Sequence, residues 1–143
     1  MNIDKNCMYC TRDSRVSDLM IEIAELKVST FYFFKEQTHP GRCIVAFNKG
    51  HKGELFELTP QERTDMMDDL ALASGAIQKV FNPDKINYAS FGDKGPHIHF
   101  HLVPKYKDGA KWGGIFEMMP EEKIYLDEEK YSSLIDALKT ELK

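Results

Sequence analysis

The chain has 143 residues, 42% of them hydrophobic and 11% aromatic, with a formal net charge of −4, which predicts one compact domain spanning 1–143. The negative charge argues against a protein that binds duplex nucleic acid, which needs a large basic patch, and no apolar run approaches the roughly 20 residues that span a bilayer. The N-terminal residues do not follow the charged-then-apolar plan of a signal peptide and the cysteines are odd in number, so we expect a cytoplasmic protein.

The first third of the chain combines one helical pattern with two strand-like runs. Apolar residues recur at helical spacing over 14–26, which predicts a helix there. The run 28–34 is β-branched and aromatic, a turn follows at 38–41, and 42–48 reads as a second strand, so we expect a hairpin. Cys43 lies inside the second run and is interpreted as a small buried hydrophobic residue.

The clearest helix start in the chain is a capping box. Thr59 takes the N-cap position, Pro60 the first helical position and Glu62 the third position after the cap. We expect this helix to run to about Phe81, because an Asn-Pro pair follows it. One face carries four apolar residues at helical spacing, which predicts contact with the core: Met66, Leu70, Ala73 and Ile77.

The second half of the chain predicts two further strands and a final helix. Residues 85–91 read as a strand, 92–96 as a tight loop, and 97–103 as a second strand that Pro104 should end. A last helix is expected from about Asp127, with apolar residues on one face: Tyr131, Leu134, Ile135, Leu138 and Leu142. Strand pairs separated by helices predict an α+β domain around a mainly antiparallel sheet.

Three of the five histidines alternate along one predicted strand, at positions 97, 99 and 101. Successive side chains of a strand point to opposite faces, so these imidazoles share one face and the intervening apolar residues can be buried on the other: Ile98, Phe100 and Leu102. Neighbouring histidines are then about 6.5–7 Å apart along the strand. Two such rings can share a metal ion, but three in a row span too far. We therefore expect the three rings to divide roles, rather than to form an exposed polar face without function.

A neutral imidazole on a rigid strand can act as a nucleophile, and flanking imidazoles can orient it or transfer protons. Attack on phosphorus would give a phosphoramidate and split one displacement into two easier steps. The loop from Gly92 to Gly95 could bring backbone amides near a phosphate, although any tight turn shows two glycines.

Cys7 and Cys10 form a CxxC pair near the N-terminus. By itself such a pair is compatible with a redox pair, a plain tail or a metal site. With two histidines it would give a set of two cysteines and two histidines, which is typical of structural zinc.

The context of the alternating histidines carries a family resemblance. Asn87 lies five residues before Gly92, and the histidines are followed by Leu102-Val103-Pro104-Lys105. This pattern resembles the histidine triad (HIT) family of nucleotide hydrolases and transferases. The likeness covers most of residues 7–113, where the CxxC pair, the hairpin, His51 and the capped helix occur in the expected order. The segment Lys111-Trp112-Gly113 is similar to one in the bacterial branch that resembles diadenosine-polyphosphate hydrolases.

The resemblance implies a half-barrel sheet of about five strands with a long central helix and terminal helices, as a homodimer. It implies binding of a nucleoside phosphate, often one containing adenosine, and cleavage at the α-phosphate. His99 would be the nucleophile that forms a nucleotidyl-histidine intermediate, and His101 would contact the phosphate and assist the leaving group. Asn87, Asp93 and Lys105 match positions that contact or fix the substrate.

The zinc-bearing members of this superfamily have ligands that resemble Cys7, Cys10, His51 and His97. The resemblance therefore implies one zinc ion, which we expect to be structural and to fasten the N-terminal segment to the sheet. His39 lies in a turn and is expected to be a solvated loop residue rather than a ligand.

Two departures from the family pattern concern the substrate. Many relatives have a Gly-Gln-Ser/Thr segment before the triad, where this chain has residues 93–96 (Asp-Lys-Gly-Pro), so assistance by that segment cannot be carried over. Lys35 stands where many relatives have Asp or Asn for the ribose, and Glu36 is the candidate to replace it.

The leading hypothesis is a nucleotide hydrolase. The alternatives are a nucleotidyltransferase or phosphorylase, in which phosphate resolves the intermediate, a nucleotide-binding regulatory protein with incidental turnover, and a zinc-binding adaptor that uses the CxxC pair.

Overall fold

The computed structural model describes residues 1–143 and is organised around one five-stranded antiparallel sheet. The strands are β1 Met20–Glu25, β2 Ser29–Phe34, β3 Cys43–Phe47, β4 Lys85–Ala89 and β5 His99–Lys105. They follow the order β1-β2-β3-β5-β4 across the sheet, and every neighbouring pair is antiparallel. The expected α+β class with a mainly antiparallel sheet is confirmed.

Four α-helices accompany the sheet, and their bounds are α1 Met8–Thr11, α2 Ser14–Leu19, α3 Pro60–Phe81 and α4 Glu128–Glu141. The capping box of α3 is formed as predicted, with both reciprocal hydrogen bonds between Thr59 and Glu62. Asn82 ends α3 in the left-handed conformation, and Asp127 caps α4. A short 3-10 helix covers Leu55–Glu57. None of the helices is long and apolar enough to span a bilayer.

The sheet is covered on both faces, which explains why every residue of β2 and β3 is buried. Alternate residues of a strand face opposite ways, so Phe31 and Phe33 join the larger core with α3 and α4, whereas Tyr32 and Phe34 join a smaller cluster with α1 and α2. In β3, Ile44 belongs to the same smaller cluster. The N-terminal helices therefore cover the face of the sheet opposite the long helix.

The helix predicted over 14–26 is only partly correct. The helix α2 ends at Leu19, and 20–25 form the edge strand β1. A β-bulge lies between Glu22 and Ala24, and each face of the strand has one buried residue, since Met20 joins the smaller cluster and Ile23 the larger core. Because the strand has a bulge and apolar residues on both faces, its apolar residues recur at a spacing similar to that of a helix.

The prediction that Pro104 ends its strand is wrong, since β5 continues to Lys105. The carbonyl of Ile98 accepts a hydrogen bond from the backbone N–H of Phe47, so the backbone polar groups of Ile98 point toward β3. Every second residue after Ile98, including Pro104, points its backbone groups to the same side. Pro104 therefore directs its nitrogen toward the β3 side, where the paired residues end at Cys43 and Leu102. The missing N–H removes no ladder hydrogen bond.

Asp69 of α3 connects the helix to the start of β2. Its buried carboxylate accepts hydrogen bonds from the backbone N–H groups of Lys27 and Val28 and from the Ser29 hydroxyl, at 2.7–3.1 Å. We expect Asp69→Ala to lower the free energy of unfolding by about 3 kcal/mol, because it leaves buried donors without a charged acceptor. Urea denaturation measures this.

The matched control is Asp68→Ala, one residue away on the same helix. Asp68 pairs with Lys27 at 3.0 Å, but both side chains are more than half exposed. This change should alter the free energy of unfolding by less than about 0.5 kcal/mol. Equal effects of the two substitutions would contradict the role assigned to Asp69.

Candidate active site and metal centre

The three alternating histidines lie on the face of the sheet covered by the N-terminal helices. His99 pairs with Ala46 and His101 with Ile44 across β3, and both of these partners belong to the smaller cluster. His97 lies just before β5, and all three imidazole side chains are buried. The predicted common face is therefore correct for the two histidines of the strand, and the ring of Tyr9, which belongs to the same cluster, also lies 5.4 Å from the His97 ring.

His99 presents a free ring nitrogen. Its Nδ1 donates a hydrogen bond to the carbonyl oxygen of His97 at 2.6 Å, so Nε2 carries the lone pair. The ring of Tyr9 stacks on it with centroids 5.0 Å apart. Burial lowers the pKa of His99, which favours the neutral imidazole. A neutral, oriented imidazole with an unprotonated nitrogen has the properties of a nucleophile.

His101 has the opposite arrangement of its ring proton. Nη2 of Arg42 lies 3.1 Å from its Nδ1, and a guanidinium can only donate, so Nδ1 accepts and Nε2 carries the proton. Burial, together with the charge of Arg42, lowers the pKa of His101 to about 3. The ring centroids of His99 and His101 are 5.3 Å apart. The neutral His101 ring therefore donates through Nε2–H, and the neighbouring neutral His99 ring can accept through its Nε2.

His97 turns away from this pair and toward the N-terminal segment. Its Nε2 donates to the carbonyl oxygen of Phe47 at 2.6 Å, which leaves Nδ1 as the unprotonated nitrogen. That Nδ1 lies 3.4 Å from Sγ of Cys7, 3.6 Å from Sγ of Cys10 and 3.3 Å from Nδ1 of His51. The three rings therefore differ in their hydrogen-bond partners and in which ring nitrogen is unprotonated.

Cys7, Cys10, His51 and His97 form one cluster whose four ligand atoms lie within 4.8 Å of one another. Zn–N bonds of about 2.0–2.1 Å and Zn–S bonds of about 2.3 Å in a tetrahedron place two nitrogens about 3.3 Å apart and a nitrogen and a sulfur about 3.6 Å apart. The observed Nδ1–Nδ1 distance is 3.3 Å and the sulfur–nitrogen distances are 3.4–3.6 Å. The donor set and its spacing therefore fit a tetrahedral metal ion.

Residues around the cluster orient its ligands. The carbonyl of Phe47 fixes His97, and the carboxylate of Asp4 lies 3.7 Å from Nε2 of His51. The carbonyl of Phe47 is an outer hydrogen-bond acceptor of the kind that holds the ring orientation of a histidine ligand, whereas the 3.7 Å separation between Asp4 and His51 is longer than a hydrogen bond. The backbone N–H of His51 also donates to the carbonyl of Asn2, so the N-terminal segment runs alongside the cluster.

A cavity of about 550 Å³ opens beside His99 and His101. Apolar side chains dominate its walls: Met8, Tyr9, Leu19, Met20, Phe34, Ile44, Phe91, Phe116, Met118 and Met119. Its polar wall is the loop of Asp93, Lys94 and Gly95, whose backbone N–H groups make no hydrogen bond within the protein. The cavity can take an apolar group beside the histidines and an anion against the free N–H groups.

Some residues expected at the substrate site lie elsewhere. Lys105 is buried, and its ammonium donates to the carbonyls of Lys111 and Gly114 at 2.6 and 2.8 Å. Asn87 is half-buried in β4 and does not line the cavity. The carboxylate of Glu36 is occupied by Thr38 and by the N–H of Ile124, so Glu36 is not available to a ribose. Lys35 is also outside the cavity.

The expectation that His39 is solvated is wrong. Its side chain is 2% exposed and packs edge-on against Phe116, with ring centroids 6.4 Å apart. The segment after β5 folds back over the turn at 38–41, which the local sequence does not indicate. His39 does not belong to the cluster of Cys7, Cys10, His51 and His97.

Three features of the site were not found from the sequence. Tyr9 lies inside the CxxC pair and stacks on His99, Arg42 contacts His101, and Phe116 packs 6.0 Å from the His101 ring. A tyrosine between two cysteines was the only local signal. Contacts of Arg42 and Phe116 depend on the register of β3 and on the path of the segment after β5.

The low pKa of His101 predicts a loss of stability in mild acid. The folded pKa of about 3 lies below the ordinary value of 6.5, so only the unfolded chain takes up this proton as the pH falls from 6.5 toward 3. At pH 5 the free energy of unfolding should be lower than at pH 7 by about 2 kcal/mol from this group. Urea denaturation at both pH values measures the total.

The control for this prediction is His101→Gln, which cannot titrate and keeps an acceptor for Arg42. The difference between the two pH values should shrink by about 2 kcal/mol in this variant. An unchanged difference would contradict the assignment, because other buried histidines are retained in the variant.

Comparison with known proteins agrees with this geometry. The sequence model of the HIT domain family matches residues 28–108. The chain therefore belongs to the HIT domain family. It is also 28% identical over 86 residues to the asymmetrical bis(5'-nucleosyl)-tetraphosphatase of Schizosaccharomyces pombe. That alignment covers 57% of this chain and 47% of the relative, so the chain spans about half the length of the curated relative it matches.

Solved structures of histidine triad proteins have the same fold. A histidine triad protein from Bradyrhizobium japonicum has a TM-score of 0.82 at 21% identity, over 92% of this chain and 96% of that one. One from Marinobacter aquaeolei has a TM-score of 0.81 at 20% identity, over 91% and 93%. A Zn-bound member from Mycobacterium smegmatis has a TM-score of 0.64 at 19% identity, over 96% and 93%. These likenesses confirm the expected HIT fold.

Proposed function

We propose that the protein is a nucleotide hydrolase that cleaves at the α-phosphate through a nucleotidyl intermediate on His99. The observation that carries the proposal is the complementary protonation of two adjacent rings, with Nε2 of His99 free and Nε2 of His101 protonated, at the wall of one cavity. The family membership and the tetraphosphatase activity named for the Schizosaccharomyces pombe relative support a nucleoside phosphate as substrate.

In the first step, the lone pair on Nε2 of His99 attacks the α-phosphorus, a P–N bond forms and the bond to the leaving group breaks. The Nε2–H of His101 donates to the departing atom and stabilises its charge. The free N–H groups of 93–95 hold the non-bridging phosphate oxygens. In the second step, water attacks phosphorus and passes a proton to Nε2 of His101, which gave its own proton to the leaving group; the P–N bond breaks and its electrons return to Nε2 of His99.

The substrate is proposed to contain adenosine, with its apolar surface against the cavity wall and its phosphate at the loop. Asp93 lies at this wall and is the proposed polar contact. Lys105 and Asn87 are proposed to support the site from outside the cavity, Lys105 by holding the carbonyls of the segment 111–114 in place.

We also propose that Cys7, Cys10, His51 and His97 hold one structural zinc ion. The spacing of the four donors fits a tetrahedron and the Zn-bound relative from Mycobacterium smegmatis shares the fold. All four positions are supplied by the protein, and a closed set of this kind cross-links the N-terminal segment to the sheet and leaves no position for a substrate.

The homodimer that the resemblance implies is proposed to form through β4. This strand is at one edge of the sheet, and an apolar groove beside it includes the exposed side chains of Tyr88, Phe91 and Ile115. An open strand edge and an exposed apolar patch both favour association. Light scattering should give twice the mass of the chain.

The experiment that tests the proposed reaction uses two probes, diadenosine tetraphosphate and adenosine phosphoramidate. Each is incubated with the protein, the mixture is quenched, and mass spectrometry should show turnover and an adenylyl group on His99. Parallel reactions with inorganic phosphate distinguish water from phosphate as the group that resolves the intermediate. No turnover of either probe and no adduct in a slowed variant would contradict the proposal.

A further inference from the structure

Arg42 is a fully buried cation beside the catalytic pair, with 0% of its surface exposed. Its guanidinium lies 4.2 Å from the ring centroid of Phe34 and 5.0 Å from that of Phe116. It donates to the carbonyl of Met118 at 2.9 Å and to Nδ1 of His101 at 3.1 Å, and its Nε has no hydrogen-bond partner. The side chain therefore connects the start of β3 with the third histidine and with the segment over the cavity.

No carboxylate pairs with this cation. Arg42 forms no ion pair, and the oxygens of the neighbouring Glu36 accept hydrogen bonds from Thr38 and Ile124 instead. Removing a charge from water costs several kcal/mol, and the nearby charge of Glu36, which makes no ion pair with Arg42, offsets only part of that cost. Contacts with the two aromatic rings offset part of this cost, but an apolar side chain of the same length would stabilise the fold as well.

We propose that Arg42 is a positioning residue for the reaction above, which holds His101 as the tautomer with its proton on Nε2. This inference rests on the proposed function and adds to it the group that determines the direction of proton donation. A guanidinium has only donors, so the neutral His101 ring beside it must accept at Nδ1 and keep its proton at Nε2. In a free imidazole both tautomers are populated, and a ring with its proton on Nδ1 would offer the departing atom no donor.

The same guanidinium also holds the wall of the cavity. Through the carbonyl of Met118 it fastens the segment that carries Phe116, and Phe116 packs against His101. Arg42 therefore determines both which nitrogen of His101 carries the proton and how the His101 ring packs. A lysine at this position keeps the charge but loses the planar fork that reaches two acceptors at once.

The direct test is nitrogen-15 NMR of the histidine rings in the wild-type protein, Arg42→Met and Arg42→Lys. We expect wild-type His101 to show a protonated Nε2 and an unprotonated Nδ1. Arg42→Met should show a mixture of tautomers at His101 and an unchanged tautomer at His99, whose partner is a backbone carbonyl. Arg42→Lys should restore the wild-type tautomer in part.

Kinetics with diadenosine tetraphosphate supply the second readout. We expect kcat of Arg42→Met to fall by about two- to ten-fold, with a smaller change in KM, because only part of the His101 population keeps its proton on Nε2 for the leaving group. Arg63→Met is the matched control, since Arg63 also donates to a backbone carbonyl, that of Leu58, but is exposed and remote from the cavity. Its kcat should equal the wild-type value.

Two results would overturn the inference: a wild-type His101 with its proton on Nδ1, or an Arg42→Met protein whose His101 spectrum and kcat are both unchanged. The tautomer is measured without substrate, so it tests the role of Arg42 even if neither nucleotide is turned over. Absence of turnover in the wild-type protein would instead contradict the proposed function. Arg42→Met replaces a buried charge with an apolar chain of similar length, and folding is expected to be retained.

Discussion

His99→Ala should lower kcat for diadenosine tetraphosphate by about four orders of magnitude or more and abolish the adenylyl adduct. The substitution removes the one triad nitrogen that is both unprotonated and at the cavity, because Nδ1 of His97 faces Cys7 and Cys10 and Nε2 of His101 carries a proton. Loss of a nucleophile leaves only the catalysis that binding and charge stabilisation provide. Single-turnover kinetics and mass spectrometry of the quenched protein are the measurements.

The control for this prediction uses a smaller side chain and a replacement nucleophile. In His99→Gly, added imidazole can occupy the space of the missing ring and should restore part of the turnover, with the adenylyl group now on free imidazole. Residual activity of His99→Ala within a factor of ten of the wild-type value would contradict the role of His99. Thermal unfolding of both variants shows whether the fold is retained.

Local patterns predicted those elements whose boundaries depend on local chemistry. The helix α3 begins at Pro60 and ends at Phe81, as the capping box and the following Asn-Pro pair indicated. Alternation along 97–103 correctly assigned the common face of the histidines, because side-chain direction in an extended segment is a property of the backbone. These features need no information from distant parts of the chain.

The errors arose where a distant segment decides the structure. The strand over 20–25 depends on pairing with β2 and on a bulge, and the continuation of β5 through Pro104 depends on where β3 ends. The burial of His39 depends on Phe116, and the contact of Arg42 with His101 joins residues 59 positions apart. The local sequence around these residues does not indicate which distant residues they will contact.

No local pattern predicts the complete proposed zinc site. The ligand set of Cys7, Cys10, His51 and His97 came from the family resemblance, and the structure brings the four side chains together. What the resemblance did not include is Tyr9, which is held between the two cysteines and stacks on His99. Segment 7–10 therefore carries two residues of the proposed zinc site and the ring that packs against the proposed nucleophile.

Cys7→Ser should reduce bound zinc from one ion per chain to a small fraction and lower the free energy of unfolding by about 3 kcal/mol or more. Loss of a thiolate breaks a closed ligand set, and metal binding to the folded form alone contributes its free energy to folding. Metal analysis of the purified protein and thermal unfolding with and without a chelator are the measurements. Chelation should lower Tm of the wild-type protein and leave that of the variant unchanged.

Cys43→Ala is the matched control, because Cys43 is fully buried in the larger core and is not part of the metal cluster. It should lose some packing stability but keep its zinc. If Cys7→Ser retains the zinc content of the wild-type protein, the ligand assignment is wrong. Because Tyr9 is carried by the same segment, loss of the metal should also loosen its ring against His99, and the assigned NMR signals of the Tyr9 ring should change in Cys7→Ser but not in Cys43→Ala.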